Sequence, residues 1–175
     1  MNYCKGIYRE TVAYKGKFTP KNKHKYEGDP TNIIYRSMWE RHCFRWCDEN
    51  PNVKKWSSEE VVIPYLYEVD RKYHRYFMDL KIVFENKTVL VEIKPEAQTK
   101  PPTGGRRTKR YISEGYTYVK NMNKWEAANE YAKDRGWEFQ IWTEKTEPLK
   151  SMIGATLKPM KKLKPLPKYK RKKTK

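Results

Sequence analysis

Cysteine and long apolar runs are both scarce in this sequence, and each scarcity excludes a class of protein. The 175 residues include three cysteines, and a small, odd number argues against a disulfide framework and for a reducing compartment. No apolar run is long enough to span a bilayer, and no segment resembles a signal peptide. We therefore expect an intracellular protein with one domain, a modest core and no membrane partner.

The cysteines also make a poor zinc site. Cys43 and Cys47 lie one helical turn apart beside His42, but no second pair of ligands follows, and Cys4 stands alone near the start. Structural zinc sites need four ligands at characteristic spacings. We interpret the three cysteines as core or idle thiols.

Acidic residues are missing from the last part of the chain, and this makes the charge uneven. Residues 158–175 contain ten lysines and arginines and no acid, which leaves +8 of the net charge of +18 for the rest. Such a segment cannot bury enough apolar surface to fold, so we predict a disordered polybasic tail. Lysines that neutralise phosphates release counterions, which favours salt-sensitive, sequence-indifferent DNA binding. An RNA or acidic-protein tether, or simple solubility, is the alternative.

Two other segments are basic. Residues 1–29 are interpreted as an N-terminal arm, residues 30–150 as the folded domain and residues 151–175 as the tail. Within the domain, residues 94–110 contain paired prolines and glycines and predict a mobile loop that grips a DNA backbone or is simply solvated. The candidate DNA-binding residues are Lys100, Arg106, Arg107, Lys109 and Arg110 in this loop, and Lys170, Arg171, Lys172 and Lys173 in the tail.

The pattern of residues 75–96 predicts two strands joined by a polar turn at 85–87, because both halves are rich in β-branched and aromatic residues. Side chains alternate faces along a strand, so Asp79 interrupts an apolar stretch, and Glu92 and Lys94 share one face of the second strand. The opposite face is apolar and consists of Val89, Val91 and Ile93. The pattern fits either a salt-bridged solvent face or a functional acidic site.

A third acid, Glu40, lies in residues 31–49, which we predict to be a helix with Asp29 as its N-cap and Pro30 as its first residue. The stripe around Glu40 at helical spacing consists of Ile33, Ser37, Phe44 and Cys47. A carboxylate on such a core-like face needs a cation, a metal or a proton. A salt bridge to a lysine and a metal site are both open.

In this order, the three acids and the lysine resemble the PD-(D/E)xK nuclease superfamily, with Asp79 followed by Glu92-Ile93-Lys94. The resemblance implies that Asp79 and Glu92 bind Mg²⁺, with Mn²⁺ as an alternative ion, and that the peptide carbonyl of Ile93 is a further ligand. It implies that Lys94 positions the attacking water and that Glu40 supports the site or joins the ligands. Endonucleolytic and exonucleolytic cleavage are both open.

Longer matching words extend the resemblance over roughly residues 14–150, to the head completion nucleases of T-even-like phages and the related TnsA-type endonucleases. The words are GKFTPKNKHKYEGDP at 16–30, IIYRSMWE at 33–40, VVIPY at 61–65, RYFMD at 75–79, VEIKPE at 91–96 and NKWEAANEYAKDRGWEFQIWTE at 123–144. This family implies an α/β, restriction-endonuclease-like core: a central mixed four-stranded sheet flanked by helices. It also implies an enzyme that trims double-stranded phage DNA beside portal and neck proteins, in the host cytoplasm during assembly and later in the virion.

Two further strands would complete that sheet. We predict residues 61–67 as the first strand and place it at an edge because of Pro64, which cannot donate a ladder hydrogen bond. Residues 137–142 would be the fourth strand.

A later helix is predicted over residues 118–135, with Gly136 as its cap. Its apolar side consists of Met122, Trp125, Ala128 and Ala132. Asn121 and Lys124 fall on its polar side, where such residues usually serve solubility, although they could approach the site.

A structural alternative stays open beside the nuclease. The chain could be a DNA-binding connector of the head or neck that retains an idle nuclease fold. A transposase or repair endonuclease subunit is disfavoured, because no ATPase, zinc or recombinase module accompanies the domain.

Overall fold

The computed structural model describes residues 15–104 and 107–156, which form eight strands and three α-helices. The strands are β1 (Gly16–Phe18), β2 (Ile33–Tyr35), β3 (Lys55–Ser57), β4 (Val62–Tyr67), β5 (Lys72–Phe77), β6 (Leu80–Val83), β7 (Thr88–Ile93) and β8 (Glu138–Trp142). The helices are α1 (Met38–Glu49), α2 (Lys109–Lys133) and α3 (Leu149–Thr156). Within the described ranges, no helix has the length and apolarity needed to cross a membrane.

The central sheet contains four strands in the order β3, β6, β7, β8. β6 pairs antiparallel with β3 and β7, whereas β8 runs parallel to β7. Parallel neighbours need a crossover connection, and α2 lies in the connection from β7 to β8. The chain is therefore α/β with a mixed four-stranded sheet, and the predicted restriction-endonuclease-like fold class is confirmed.

The central strand β7 is buried on both faces, which places helices on both sides of the sheet. One face packs against α1 and α3 in a cluster that includes Val89, Val91, Ile93, Cys43, Phe44, Cys47 and Leu149. The other face presents Leu90 to Ala128 and Ala132 of α2. A strand covered on both faces is typical of the centre of an α/β sheet. Cys43 and Cys47 thus belong to the core, as their interpretation requires.

Residues 61–67 lie outside the central sheet, so the prediction that they form its first strand was wrong. Val62–Tyr67 pairs with Lys72–Phe77 in a separate two-stranded sheet. Alternation and Pro64 identify an edge strand but cannot tell which sheet it belongs to. The edge of the central sheet beside β6 is β3, a short strand whose Trp56 is fully buried.

The predicted strand before the turn at 85–87 is also divided. β5 belongs to the small sheet and β6 to the central sheet, and the chain passes from one to the other at Met78 and Asp79. The predicted hairpin is present as β6 and β7, with Val83 opposite Thr88. Asp79 therefore lies at a junction between two sheets rather than in the middle of a strand.

The first helix begins later than predicted. α1 begins at Met38 with Ser37 as its N-cap, and residues 33–35 form β2, which pairs with β1. Asp29 does not cap a helix, because its carboxylate accepts hydrogen bonds from the backbone N–H and the hydroxyl of Thr31, at 2.8 and 2.6 Å. This is a local Asx turn, which satisfies the same side chain without a helix.

The second helix is longer than predicted. α2 begins at Lys109 after the N-cap Thr108, so the end of the predicted basic loop is helical. Met122 is 43% exposed and the neighbouring Asn121 is buried, which reverses their predicted positions. Gly136 has a φ of +66°, the left-handed conformation expected of a residue that ends a helix.

The described part of the predicted N-terminal arm lies against the domain. Tyr26 is buried, and the backbone N–H groups of Lys21 and Asn22 donate to the buried Asp48 at 2.8 and 3.1 Å. At the other end, α3 continues to Thr156, past residue 151 where the tail was predicted to begin. The boundaries of the arm and the tail stay predictions, since residues 1–14 and 157–175 lie outside the described ranges.

A buried leucine and an exposed leucine predict contrasting losses of stability when each is truncated to alanine. Leu80 is fully buried in β6, and Leu66 is 46% exposed in β4. We expect Leu80→Ala to lower the free energy of unfolding by about 2–5 kcal/mol and Leu66→Ala by about 0.5 kcal/mol or less. Urea denaturation measures both. A comparable loss for Leu66→Ala would show that the outer face of β4 is covered in solution.

Candidate active site

Asp79 and Glu92 lie directly across from each other at the end of the β6–β7 hairpin. Leu80 pairs with Val91 in the antiparallel register, so the next residues outward, Asp79 and Glu92, are opposite. The Asp79 carboxylate accepts a hydrogen bond from the backbone N–H of Ile93, with 2.8 Å between Oδ2 and N. The structure thus brings two of the predicted site acids together.

Glu92 is held by two neighbouring side chains. Its Oε1 lies 3.0 Å from Nζ of Lys94, and its Oε2 accepts a hydrogen bond of 2.6 Å from the hydroxyl of Tyr76. The side chain of Glu92 is only 2% exposed, whereas the side chain of Lys94 is 27% exposed. A buried carboxylate requires such partners, because an unpaired charge away from water is very costly.

The charges of Asp79 and Glu92 are not fully compensated by the groups around them. Burial and the charge of Glu92 raise the pKa of Asp79 well above its usual range, although Lys94 and the N–H of Ile93 act in the opposite direction. Burial alone lowers the pKa of Lys94, but Glu92 and Asp79 outweigh it and the net shift is upward. Burial and Glu92 also raise the pKa of Tyr76, which keeps its hydroxyl a donor. One lysine does not compensate two adjacent acids, so the site favours a further cation.

Glu40 occupies a different position from the one predicted. It is the third residue of α1, where its backbone N–H donates to Oγ of Ser37 and its carboxylate accepts from the Ser37 hydroxyl at 2.9 Å. The other carboxylate oxygen accepts from the backbone N–H of Arg36 at 2.7 Å. This is a variant of the capping box in which the acid accepts from the residue before the N-cap, and it satisfies the acid without a cation. Glu40 still raises the pKa of both Asp79 and Lys94, so it lies within electrostatic range of the site.

The donor atoms at this site fit a hard divalent ion. Oδ1 of Asp79 has no hydrogen-bond partner among the described residues, and Ile93 carries a peptide carbonyl between the two functional side chains. Residues 15–104 and 107–156 contain no group of three or more His, Cys, Asp or Glu side chains that could hold a metal. Magnesium is compatible with this, because it is commonly bound by one or two carboxylates and completes its shell with water and substrate oxygens.

Two of the predicted basic residues line a cleft formed by the segment that follows Lys94. A cavity of about 910 Å³ separates residues 97–104 from the first turns of α2, and Lys100 and Arg110 line it. Lys100 pairs with Glu96 at 2.9 Å and Arg110 with Glu114 at 2.7 Å. Arg107 and Lys109 are exposed beside the cleft. Arg106, Lys170, Arg171, Lys172 and Lys173 lie outside the described residues.

Tyr76 was not predicted as part of the site, and Lys124 was predicted only as a residue of the later helix that could approach it. Tyr76 contacts Glu92 although strict alternation would place it on the face opposite Asp79, because the chain changes sheet between them. Lys124 is half-buried, with its Nζ 4.9 Å from the centre of the Tyr76 ring. Its place on the later helix was the only signal for it in the sequence.

The class of the protein follows from this fold and from a family comparison. Residues 50–144 match the family model described as TnsA-like endonuclease N terminal, and the chain belongs to this family. More particularly, it is 43% identical over 139 residues to the "Head completion nuclease" of Enterobacteria phage T4, an alignment that covers 76% of this chain and 93% of that protein. No solved structure matches the chain significantly. The predicted family relationship is confirmed.

The unbalanced pair predicts a pH-dependent stability difference for Asp79→Asn. The pKa of Asp79 is higher in the folded state than in the unfolded state, where it is about 4. Wild-type stability therefore falls as the pH rises from the unfolded-state pKa through the folded-state pKa. In chelator we expect the variant to have the higher Tm at neutral pH, by roughly 2–4 °C for each kcal/mol relieved, and the difference to vanish near pH 4. Thermal melts from pH 4 to 8 measure it.

The matched control is Glu126→Gln, which removes one negative charge from the exposed face of α2. It separates relief at the site from a general change in net charge. An equal gain for Glu126→Gln, or a gain for Asp79→Asn that is independent of pH, would contradict the buried repulsion.

The capping box predicts a structural cost at the start of α1. We expect Ser37→Ala to lower the free energy of unfolding by about 1 kcal/mol, because the N–H of Glu40 loses its acceptor. Ser113→Ala, at an exposed position within α2, should change it by about 0.5 kcal/mol or less. Equal effects in urea denaturation would show that the cap contributes nothing.

Proposed function

We propose that this protein is a metal-dependent DNA nuclease that acts in phage head completion. The observation that carries the proposal is the placement of Asp79 opposite Glu92, with Lys94 bonded to Glu92, at the end of a hairpin in a chain of the TnsA-like endonuclease family. The name of the T4 relative supports the nuclease activity and the role in head completion.

Mg²⁺ is the ion we propose, with Mn²⁺ as an alternative. Asp79, Glu92 and the peptide carbonyl of Ile93 would hold it, since these are hard oxygen donors. When bound, the ion would lower the pKa of a coordinated water and neutralise charge on the phosphoryl oxygens.

The protein's own side chains keep the acids in place and supply fixed charge. The hydroxyl of Tyr76 and the ammonium of Lys94 fix both oxygens of Glu92, and the N–H of Ile93 fixes one oxygen of Asp79. Groups that are held before the substrate arrives need no reorganisation during the reaction. The partly exposed ammonium of Lys94 is also positioned to orient the attacking water and to offset negative charge that develops on the phosphate. Glu40 contributes its charge from the start of α1.

We propose double-stranded phage DNA as the substrate and a 5′ phosphate as one product. Trimming the packaged genome would allow head and tail to join, which makes portal and neck proteins the partners and the host cytoplasm, then the virion, the location. Positive charge for phosphate contacts of low sequence specificity comes from three groups of residues. They are the exposed Arg107 and Lys109, the lysine and arginine that line the cleft, and the ten basic residues of 158–175.

The direct test is nicking of supercoiled plasmid by the purified protein, with Mg²⁺, with Mn²⁺ or with chelator. We expect cleavage only with metal. We expect Asp79→Asn to reduce the rate by about 10²-fold or more because it removes a charged ligand of the proposed metal ion, and Lys94→Ala to do so because it removes a positive charge at the reacting phosphate. Glu126→Gln and Lys133→Ala, which change exposed residues of α2, are the matched controls and should cleave normally.

Cleavage that persists in chelator, or that survives both site substitutions, would rule out this mechanism. The structural connector makes a different prediction in phage assembly. In that case head–tail joining would be normal with Asp79→Asn and would fail only when the arms or the basic tail are removed.

A further inference from the structure

Helix α2 places a second lysine, Lys124, against the tyrosine that holds Glu92. Nζ of Lys124 lies 4.9 Å from the centre of the Tyr76 ring and 5.9 Å from that of Tyr65. Tyr76 is the residue whose hydroxyl donates to Glu92. The ammonium of Lys124 therefore lies over the side chain that holds the buried carboxylate, whereas Lys94 approaches the same carboxylate along the strand.

Lys124 has no anionic partner of its own in the part of the chain that the structure describes. It makes no ion pair within 4.0 Å and no hydrogen bond there, and its recorded contacts are the two tyrosine rings. Burial lowers the pKa of Lys124, while Glu92 and Asp79 act to raise it. A half-buried ammonium whose direct contacts are aromatic rings has no anion bonded to it, so an approaching anion would find a favourable position.

Asn121 offers a second unused donor one turn earlier on the same helix. It is 5% exposed, and its Nδ2 has no hydrogen-bond partner in the structure. Residues three apart on a helix lie on one face, with about 5–6 Å between their Cβ atoms. A buried amide without an acceptor costs free energy, and such groups in folded proteins call for an explanation, a bound ligand being one.

We propose that Lys124 and Asn121 form a phosphate subsite that holds a backbone phosphate of the DNA beside the Asp79–Glu92 pair. Both side chains supply donors and no competing negative charge, which suits a phosphodiester oxygen. The identity of the ligand as DNA rests on the proposed function. The subsite would place the substrate backbone between α2 and the end of the β6–β7 hairpin and so bring one phosphate to the carboxylates.

Binding in chelator tests the subsite without cleavage. The full chain is titrated onto a fluorescently labelled 20-base-pair duplex at several salt concentrations, and anisotropy gives Kd. We expect Lys124→Met to raise Kd several-fold and to reduce the slope of log K against log salt by about 0.9, the value for one phosphate contact. Lys124→Arg should restore both. Lys133→Met, at the exposed far end of α2, should match the wild type.

Asn121→Leu gives a second, independent reading. Replacing a buried unpaired amide by an apolar side chain of similar size should raise Tm, because the unsatisfied donor is removed. The same variant should bind the duplex more weakly. Higher stability with weaker binding is a combination that a purely structural Asn121 would not produce.

The subsite would be overturned if Lys124→Met and Asn121→Leu both bound with the wild-type Kd and salt slope. It would also be overturned if binding weakened only in variants that circular dichroism shows to be unfolded. Failure of the proposed function is distinguishable from this. If the wild type binds the duplex but does not nick plasmid with metal, the nuclease proposal fails while the salt slopes still decide the subsite.

Discussion

The repulsion between Asp79 and Glu92 is the constraint around which this structure is arranged. Two carboxylates face each other across a hairpin, one of them almost fully buried, and the surrounding groups are used to hold them. The N–H of Ile93, the hydroxyl of Tyr76 and the ammonium of Lys94 each contact one of the acids. Even so, burial and then the charge of Glu92 raise the pKa of Asp79. An arrangement of this kind is unfavourable for stability alone and favourable for binding a cation.

The layers of the fold explain how the pair is kept in place. β7 is packed on both faces, by α1 and α3 on one side and by α2 on the other, so Glu92 cannot turn away toward solvent. Tyr76 belongs to the small β4–β5 sheet and still contacts Glu92, because only two residues separate the end of β5 from the start of β6. The site therefore lies where two sheets and a helix meet, and each contributes one of its side chains.

Prediction from the sequence succeeded where one local pattern was enough. Alternation along residues 75–96 separated Asp79, Glu92 and Lys94 from the apolar face, and the mixed sheet followed from the family resemblance. It failed where neighbouring elements decided the outcome. The helical stripe around Glu40 included Ile33, which is a strand residue, because β1 supplies a pairing partner that the pattern does not reveal. Asn121 was predicted on a polar face from its residue type alone. The packing of α2 against the small sheet decides its position instead.

The sequence by itself determined the hairpin, the order of its acids and lysine, the uneven charge and the family, because each depends on residues close together in the chain or on matching words. Only the tertiary structure decided which side chains meet the carboxylates. Tyr76 reaches Glu92 through a change of sheet, and Lys124 reaches the ring of Tyr76 through the docking of a long helix. Both depend on contacts between segments far apart in sequence. Such contacts are set by how whole faces pack, which no local period encodes.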